Sequence, residues 1–138
     1  MDVKGAVSRA GRAIWKSLPV LVGVVLLVSL ANALIPKSAY GKVFGHSLLA
    51  DSVIGSAAGS ILAGNPVTSY VIGGELLGQG VSLVAVTAFI VAWVTVGVVT
   101  LPAESIMLGK KFALTRNLCS FILSIAVALV TAGIVVML

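Results

Sequence analysis

Three stretches of the chain, Leu18–Ile35, Val81–Leu101 and Leu118–Leu138, contain no charged side chain. A hydrocarbon core about 30 Å thick is crossed by roughly 20 apolar residues in a helix. Each stretch reaches or approaches that length and consists largely of Val, Leu, Ile and Ala. Charged residues make up 9% of the chain and hydrophobic ones 59%, whereas about a quarter of a soluble domain is charged. The sequence therefore predicts an all-α integral membrane protein with three transmembrane helices. Its 138 residues suit a single domain. Fifteen glycines predict close packing between helices.

Between the first two runs lies a segment of different character. Residues 47–64 (SLLADSVIGSAAGSILAG) have a helical pattern built from small residues. Gly55 and Gly59 form a G-x-x-x-G pair, and Ser52, Ser56 and Ser60 recur at every fourth position. Such spacing lets a second helix approach the backbone. Asn65 then offers a helix N-cap and Pro66 the favoured first helical residue. Residues 66–80 form a second helix, too short to span comfortably and loosened at Gly73-Gly74. As one helix, residues 47–80 would be about 50 Å long. The break at Asn65-Pro66 instead predicts a broken helical hairpin over 47–80, either re-entrant or two short spans.

At the N-terminus, Val3, Val7, Ala10 and Ile14 share one helical face, and Arg9, Arg12 and Lys16 share another. Residues 1–16 are thus a basic amphipathic segment, read as an interfacial helix with Trp15 near the headgroups. A disordered basic tail is the alternative. Residues 17–138 form the transmembrane domain. The basic start, the apolar run and Ala31-Asn32-Ala33 also resemble a signal peptide. That apolar run exceeds the usual signal length, so it is read as a retained helix. Residues 36–46 (PKSAYGKVFGH) and 109–117 (GKKFALTRN) read as loops.

Positive charges set the topology. If residues 47–80 go out and back, Lys4, Arg9, Arg12, Lys16, Lys110, Lys111 and Arg116 share one side, and only Lys37 and Lys42 the other. Seven against two predicts a multi-pass plasma-membrane protein with its N-terminus in the cytoplasm and its C-terminus outside. A single crossing by 47–80 would give four against five, the near balance of a dual-topology protein. Topology, not nucleic acid, accounts for the net charge of +5.

The start of the second short helix is the first candidate site. A helix N-terminus away from water carries unpaired N–H groups and partial positive charge. Asn65, Pro66, Thr68 and Ser69 are therefore expected to bind an anionic or polarised group, with an ordinary turn as the alternative. Thr68, Glu75 and Gln79 fall at i, i+7 and i+11, which gives this helix a polar face. A carboxylate inside a membrane is costly and marks function, so Glu75 is a candidate proton or cation site. A wet helix end would make it ordinary.

Glu104, between Pro102 and the basic loop, reads as a cytoplasmic ion pair or cap, with transport chemistry as the alternative. Asp51 sits either in a polar cap or facing the bundle. Asn117, Ser120, Ser124 and Thr131 share one side of the last helix and read as a packing stripe, with cavity lining as the alternative. His46 reads as a loop residue. The single cysteine, Cys119, excludes an intramolecular disulfide and a multi-thiolate metal site. No catalytic, P-loop or metal motif is present, so neither enzymatic activity nor a cofactor is expected.

Gly64–Tyr70 (GNPVTSY), Gly80–Ile90 (GVSLVAVTAFI) and Leu108–Arg116 (LGKKFALTR) together resemble the predicted permease family of the ArsP and YraQ type. The resemblance covers roughly residues 47–117. Members of that family look like tandem repeats of one unit. The unit has a Gly-x-Pro break, a short helix, a G-x-(S/P)-L start to the next span and a basic loop. Members commonly carry a Pro-x-Cys-Ser-Cys pattern. Here Thr68 and Tyr70 stand at the cysteine positions and only Ser69 matches, so thiol handling of arsenicals does not carry over. The resemblance implies a half-size permease subunit in the lipid bilayer, acting as a homodimer or with a second half-size subunit. It would move a small anionic or metalloid-containing solute, bound near the bilayer midplane by Asn65, Pro66, Thr68, Ser69, Glu75 and Gln79. Glu75 would couple transport to protons. A non-transporting membrane scaffold or accessory subunit is the alternative.

Overall fold

The computed structural model describes residues 3–34, 43–45, 47–62 and 65–138. Lys37, Tyr40, Gly41, Lys42, His46 and Gly64, with most of the loop expected at 36–46, lie outside the described residues. All regular structure among the described residues is α-helical, and no strand occurs among them. The chain divides into two compact units, 1–35 and 36–138.

The first unit is one helix, α1 (Val3–Leu34). The basic segment and the apolar run after it are therefore continuous helix, about 48 Å long at 1.5 Å per residue. Pro19 lies inside it and denies the Trp15 carbonyl its helical donor. Arg9, Arg12 and Lys16 are exposed, as are Ile14 and Trp15.

The second unit contains α2 (Leu48–Ile61), α3 (Pro66–Gly78), α4 (Leu83–Thr95), α5 (Leu101–Leu108) and α6 (Lys110–Met137). Its central contact is α2 against α4. Gly55 lies on the backbone of Ala85, and Gly59 on that of Phe89 and Trp93. A Cβ at either glycine would collide with the Ala85 or Phe89 carbonyl oxygen. The G-x-x-x-G pair thus does what its spacing predicts: it lets two backbones touch. Because 55 meets 85 and 59 meets 89, the two helices run parallel.

Parallel neighbours need a return segment, and α3 supplies it. Gly73 packs on Val86 and Ile90, while Leu76, further along α3, packs on the cluster of Val81, Ala85 and Val86. So α3 runs antiparallel to α4. Both arms of the out-and-back segment pack on α4 rather than along each other. The expected loosening at Gly73-Gly74 is absent, because α3 continues through both residues and Gly73 serves close packing. The turn into α4 is a Schellman motif. Gly80 N–H donates to the Leu77 carbonyl (3.0 Å) and Val81 N–H to that of Leu76 (3.1 Å). Gly80 has φ +89°, which favours glycine there.

Two expectations are corrected here. Residues 81–101 are not one helix: α4 ends at Thr95, and a separate α5 follows. The β-branched run Val94-Thr95-Val96 with Gly97 propagates a helix poorly, and its freed N–H groups find other partners. Val98 N–H donates to the Ser60 carbonyl (3.4 Å) and Gly97 N–H to Asn117 Oδ1 (2.8 Å). Pro102 therefore starts α5 rather than ending α4. Residues 110–117 are not a loop but the first two turns of α6, since Lys, Ala, Leu and Arg are good helix formers.

Antiparallel to α4, α6 places Ala128 and Ala132 against Val84 and Ala88. At 28 residues it is about 42 Å long. It is the one helix among the described residues long and apolar enough to cross a membrane. Apolar but short, α2 and α4 span about 20 Å each.

The backbone contact sets a test. Gly59→Val should lower the unfolding free energy in detergent by about 3 kcal/mol, the upper end of overpacking costs. Gly74→Ala, whose Cβ would meet open space, should instead raise it by about 0.5–1 kcal/mol. Equal effects would show that α2 and α4 do not touch at Gly59.

Candidate functional site

The start of α3 forms as its sequence predicts. Asn65 is the N-cap, and its Oδ1 accepts the Val67 N–H at 3.0 Å. The Asn65 carbonyl accepts the Thr68 N–H at 2.9 Å. Pro66 has no N–H to offer. The donors of this first turn are therefore already occupied by Asn65. Thr68 and Ser69 are buried, and Ser69 Oγ donates to the Pro66 carbonyl at 2.7 Å. Asn65 and Pro66 are exposed.

Glu75 and Gln79 occupy the other end of α3, about 10 Å and more from Thr68 along the axis. Glu75 is exposed and Gln79 half-buried. The six candidate residues thus fall into two groups on one helix: Asn65, Pro66, Thr68 and Ser69 at its start, Glu75 and Gln79 near its end. The break itself is level with the end of α4, because Ser60, shortly before it, receives Val98 N–H. It lies at an end of the bundle, not halfway along.

A line of polar contacts joins α2, α4 and α6, and only parts of it were legible in advance. At the end where α2 and α4 begin, Asp51 is buried. Its two carboxylate oxygens accept Gly45 N–H at 2.9 and 3.1 Å, and Oδ2 also accepts the Ser82 hydroxyl at 2.6 Å. Asp51 thus combines the two positions open to it: it is buried in the bundle and forms a polar cap at the helix starts. Ser82 is itself the N-cap of α4. In the middle, Ser56 Oγ and Ser124 Oγ lie 2.8 Å apart and fully buried, and Ser124 also donates to the Phe121 carbonyl. Ser52 and Ser60 donate to the carbonyls of Leu49 and Ala57.

At the opposite end, Glu104 accepts Arg116 Nη1 at 2.6 and 2.7 Å, Thr100 Oγ1 at 3.0 Å and Asn117 Nδ2 at 3.3 Å. Asn117 is buried, bridging Glu104 and Gly97. The ion pair expected at Glu104 is present, with Arg116 as its partner. The Arg116 hydrogen bonds hold the Glu104 carboxyl below its usual value, against the opposing effect of desolvation, with smaller help from Thr100 and Asn117. Among the described residues no buried side-chain polar atom lacks a partner, and no three His, Cys, Asp or Glu side chains gather. Ser120 and Thr131 are half-buried beside Asn117 and Ser124.

The serine spacing was the signal for part of this line. Asp51 meeting Ser82, 31 residues away, left no local signal. In comparisons with known proteins, the chain matches no family model, no curated protein and no solved structure.

Two tests follow from the ends of the line. Asp51→Ala strands the Gly45 and Ser82 donors and should cost about 1–3 kcal/mol. Asp51→Asn, which keeps an acceptor, should cost less in the same equilibrium unfolding experiment. For Glu104, the folded-state value lies below the unfolded one. Its stabilisation is therefore complete above the unfolded value and lost as pH falls through the folded one. The Tm difference between wild type and Glu104→Gln should be largest near neutral pH and close below roughly pH 4.

Proposed function

We propose that this chain is a half-size subunit of a membrane permease of the ArsP and YraQ type, embedded in the plasma membrane and working as a dimer. The observation that carries this reading is the out-and-back pair α2 and α3. Each arm is about 20 Å long, shorter than a hydrocarbon core, and they meet at an N-capped, proline-started break. Discontinuous helices of this kind line substrate sites in secondary transporters.

The surface supports the membrane setting. Leu114, Leu118, Ile122, Val130 and Ile134 on α6 are each more than half exposed. Water disfavours so large an apolar face, whereas lipid covers it without cost. On this reading α6, the region of α4 and the apolar half of α1 cross the bilayer, with α2 and α3 as two short spans. The charge bias puts the N-terminus and the α5–α6 junction in the cytoplasm. The solute, a small anionic or metalloid-containing species, binds at the start of α3, toward the cytoplasmic end. Glu75 faces a second subunit and carries the coupling proton.

A second reading has its own observation. The buried serines mostly bond to their own helices, and the polar line is fully partnered. That is what a non-transporting scaffold or accessory subunit requires.

Reconstituted vesicles separate the two. Vesicles carrying the wild type should take up small oxyanions with a matching internal pH change. Glu75→Gln should abolish that uptake while leaving folding and dimerisation intact, and Pro66→Ala should weaken solute affinity. Full uptake by Glu75→Gln would remove its coupling role. No wild-type flux across a panel of oxyanions and metalloids would favour the scaffold.

A further inference from the structure

We propose that the groove between α5 and the start of α6 seats one anionic phospholipid from the surrounding bilayer. This rests on the membrane setting proposed above, but not on transport. The groove measures about 620 Å3 and is lined by Leu101, Pro102, Ser105, Ile106, Lys110 and Leu114. Pockets that hold small molecules span about 300–1,000 Å3. The Ser105 hydroxyl is committed to the Leu101 carbonyl at 2.7 Å. Apart from Lys110, the wall therefore offers hydrocarbon, which suits an acyl chain and not a polar solute.

The charge at its rim has no ion-pair partner among the described residues. Lys110 and Lys111 are exposed, and neither forms an ion pair among the described residues. Arg116, the next cation along α6, is neutralised by Glu104. Both lysines occupy the first turn of α6, which has no acidic residue and no side-chain cap. Two cations at the positive end of a helix dipole repel it. A phosphodiester there relieves that repulsion, while its acyl chain lies on Leu101, Ile106 and Leu114. Ile106 and Met107, 87% and 82% exposed, extend the apolar surface beside the groove. Charge and hydrocarbon thus adjoin as they do in a phospholipid. A neutral lipid would fill the groove but leave the lysines uncompensated. By the positive-inside count this end faces the cytoplasm, whose leaflet carries the anionic lipids.

The full chain can be reconstituted in mixed phosphatidylcholine and phosphatidylglycerol vesicles, then extracted in mild detergent for native mass spectrometry. Wild type should retain one phosphatidylglycerol per chain in preference to phosphatidylcholine. Lys110→Gln and Lys111→Gln should each lower that preference about five-fold, and Lys110→Arg should keep it. Leu114→Trp, which fills the groove, should reduce retention of both lipids without changing Tm. Equal retention of the two lipids by wild type, or lysine variants that behave as wild type, would overturn the seat alone. The same holds if a second copy of the chain is retained there instead of lipid. A chain that does not enter the vesicles would overturn the membrane setting and the seat together.

Discussion

The second unit is organised by one contact, the backbone of α2 against the backbone of α4. Gly55 and Gly59 remove the side chains that would hold these helices apart. Once these two helices lie parallel and touching, the chain between them must travel back the length of the pair. That is why residues 62–82 contain a third helix instead of a short turn. The break at Asn65-Pro66 and the Schellman turn at Gly78–Val81 are the two reversals this geometry demands. The out-and-back path is thus a consequence of small residues on α2, not an independent feature of the break.

Hydrogen bonds then fix the rotation of each helix about that contact. Asp51 ties the chain before α2 to the start of α4, Ser56 ties α2 to α6, and Asn117 ties the end of α4 to α6. Away from water, a hydroxyl or amide turned off its partner has nothing to replace it. These ties join α2, α4, α5 and α6. On the other side of α4, α3 packs Gly73 and Leu76 against Val86, Ile90 and their neighbours.

The legible features were those set by neighbours in sequence. Asn65-Pro66 starts a helix because capping and proline geometry are local. Gly55 and Gly59 announce a close approach, though not which helix approaches. The end of α4 was hidden because Val94–Val99 is as apolar as a span. Only the long-range acceptors on Ser60 and Asn117 show that its backbone leaves the helix. The start of α6 was hidden for the opposite reason: Gly109 and adjacent lysines look like a loop, while the residues after them favour helix. Asp51 was seen but could not be assigned, since its partners Gly45 and Ser82 are joined to it only by the fold.

The start of α3 poses the sharpest physical question about the proposed site. A helix N-terminus attracts an anion through free N–H groups, yet Asn65 already takes up those of Val67 and Thr68. A ligand would therefore compete with the Asn65 side chain for the Val67 N–H and with the Asn65 carbonyl for that of Thr68. Displacing an N-cap costs about 0.5–2 kcal/mol, which a charge-assisted bond from an anion offsets and a neutral solute does not. On the proposed permease reading, the cap would therefore act as a filter for charge. It would also reclaim the Val67 N–H once a solute had left, so that an unloaded α3 would keep its first-turn donors paired.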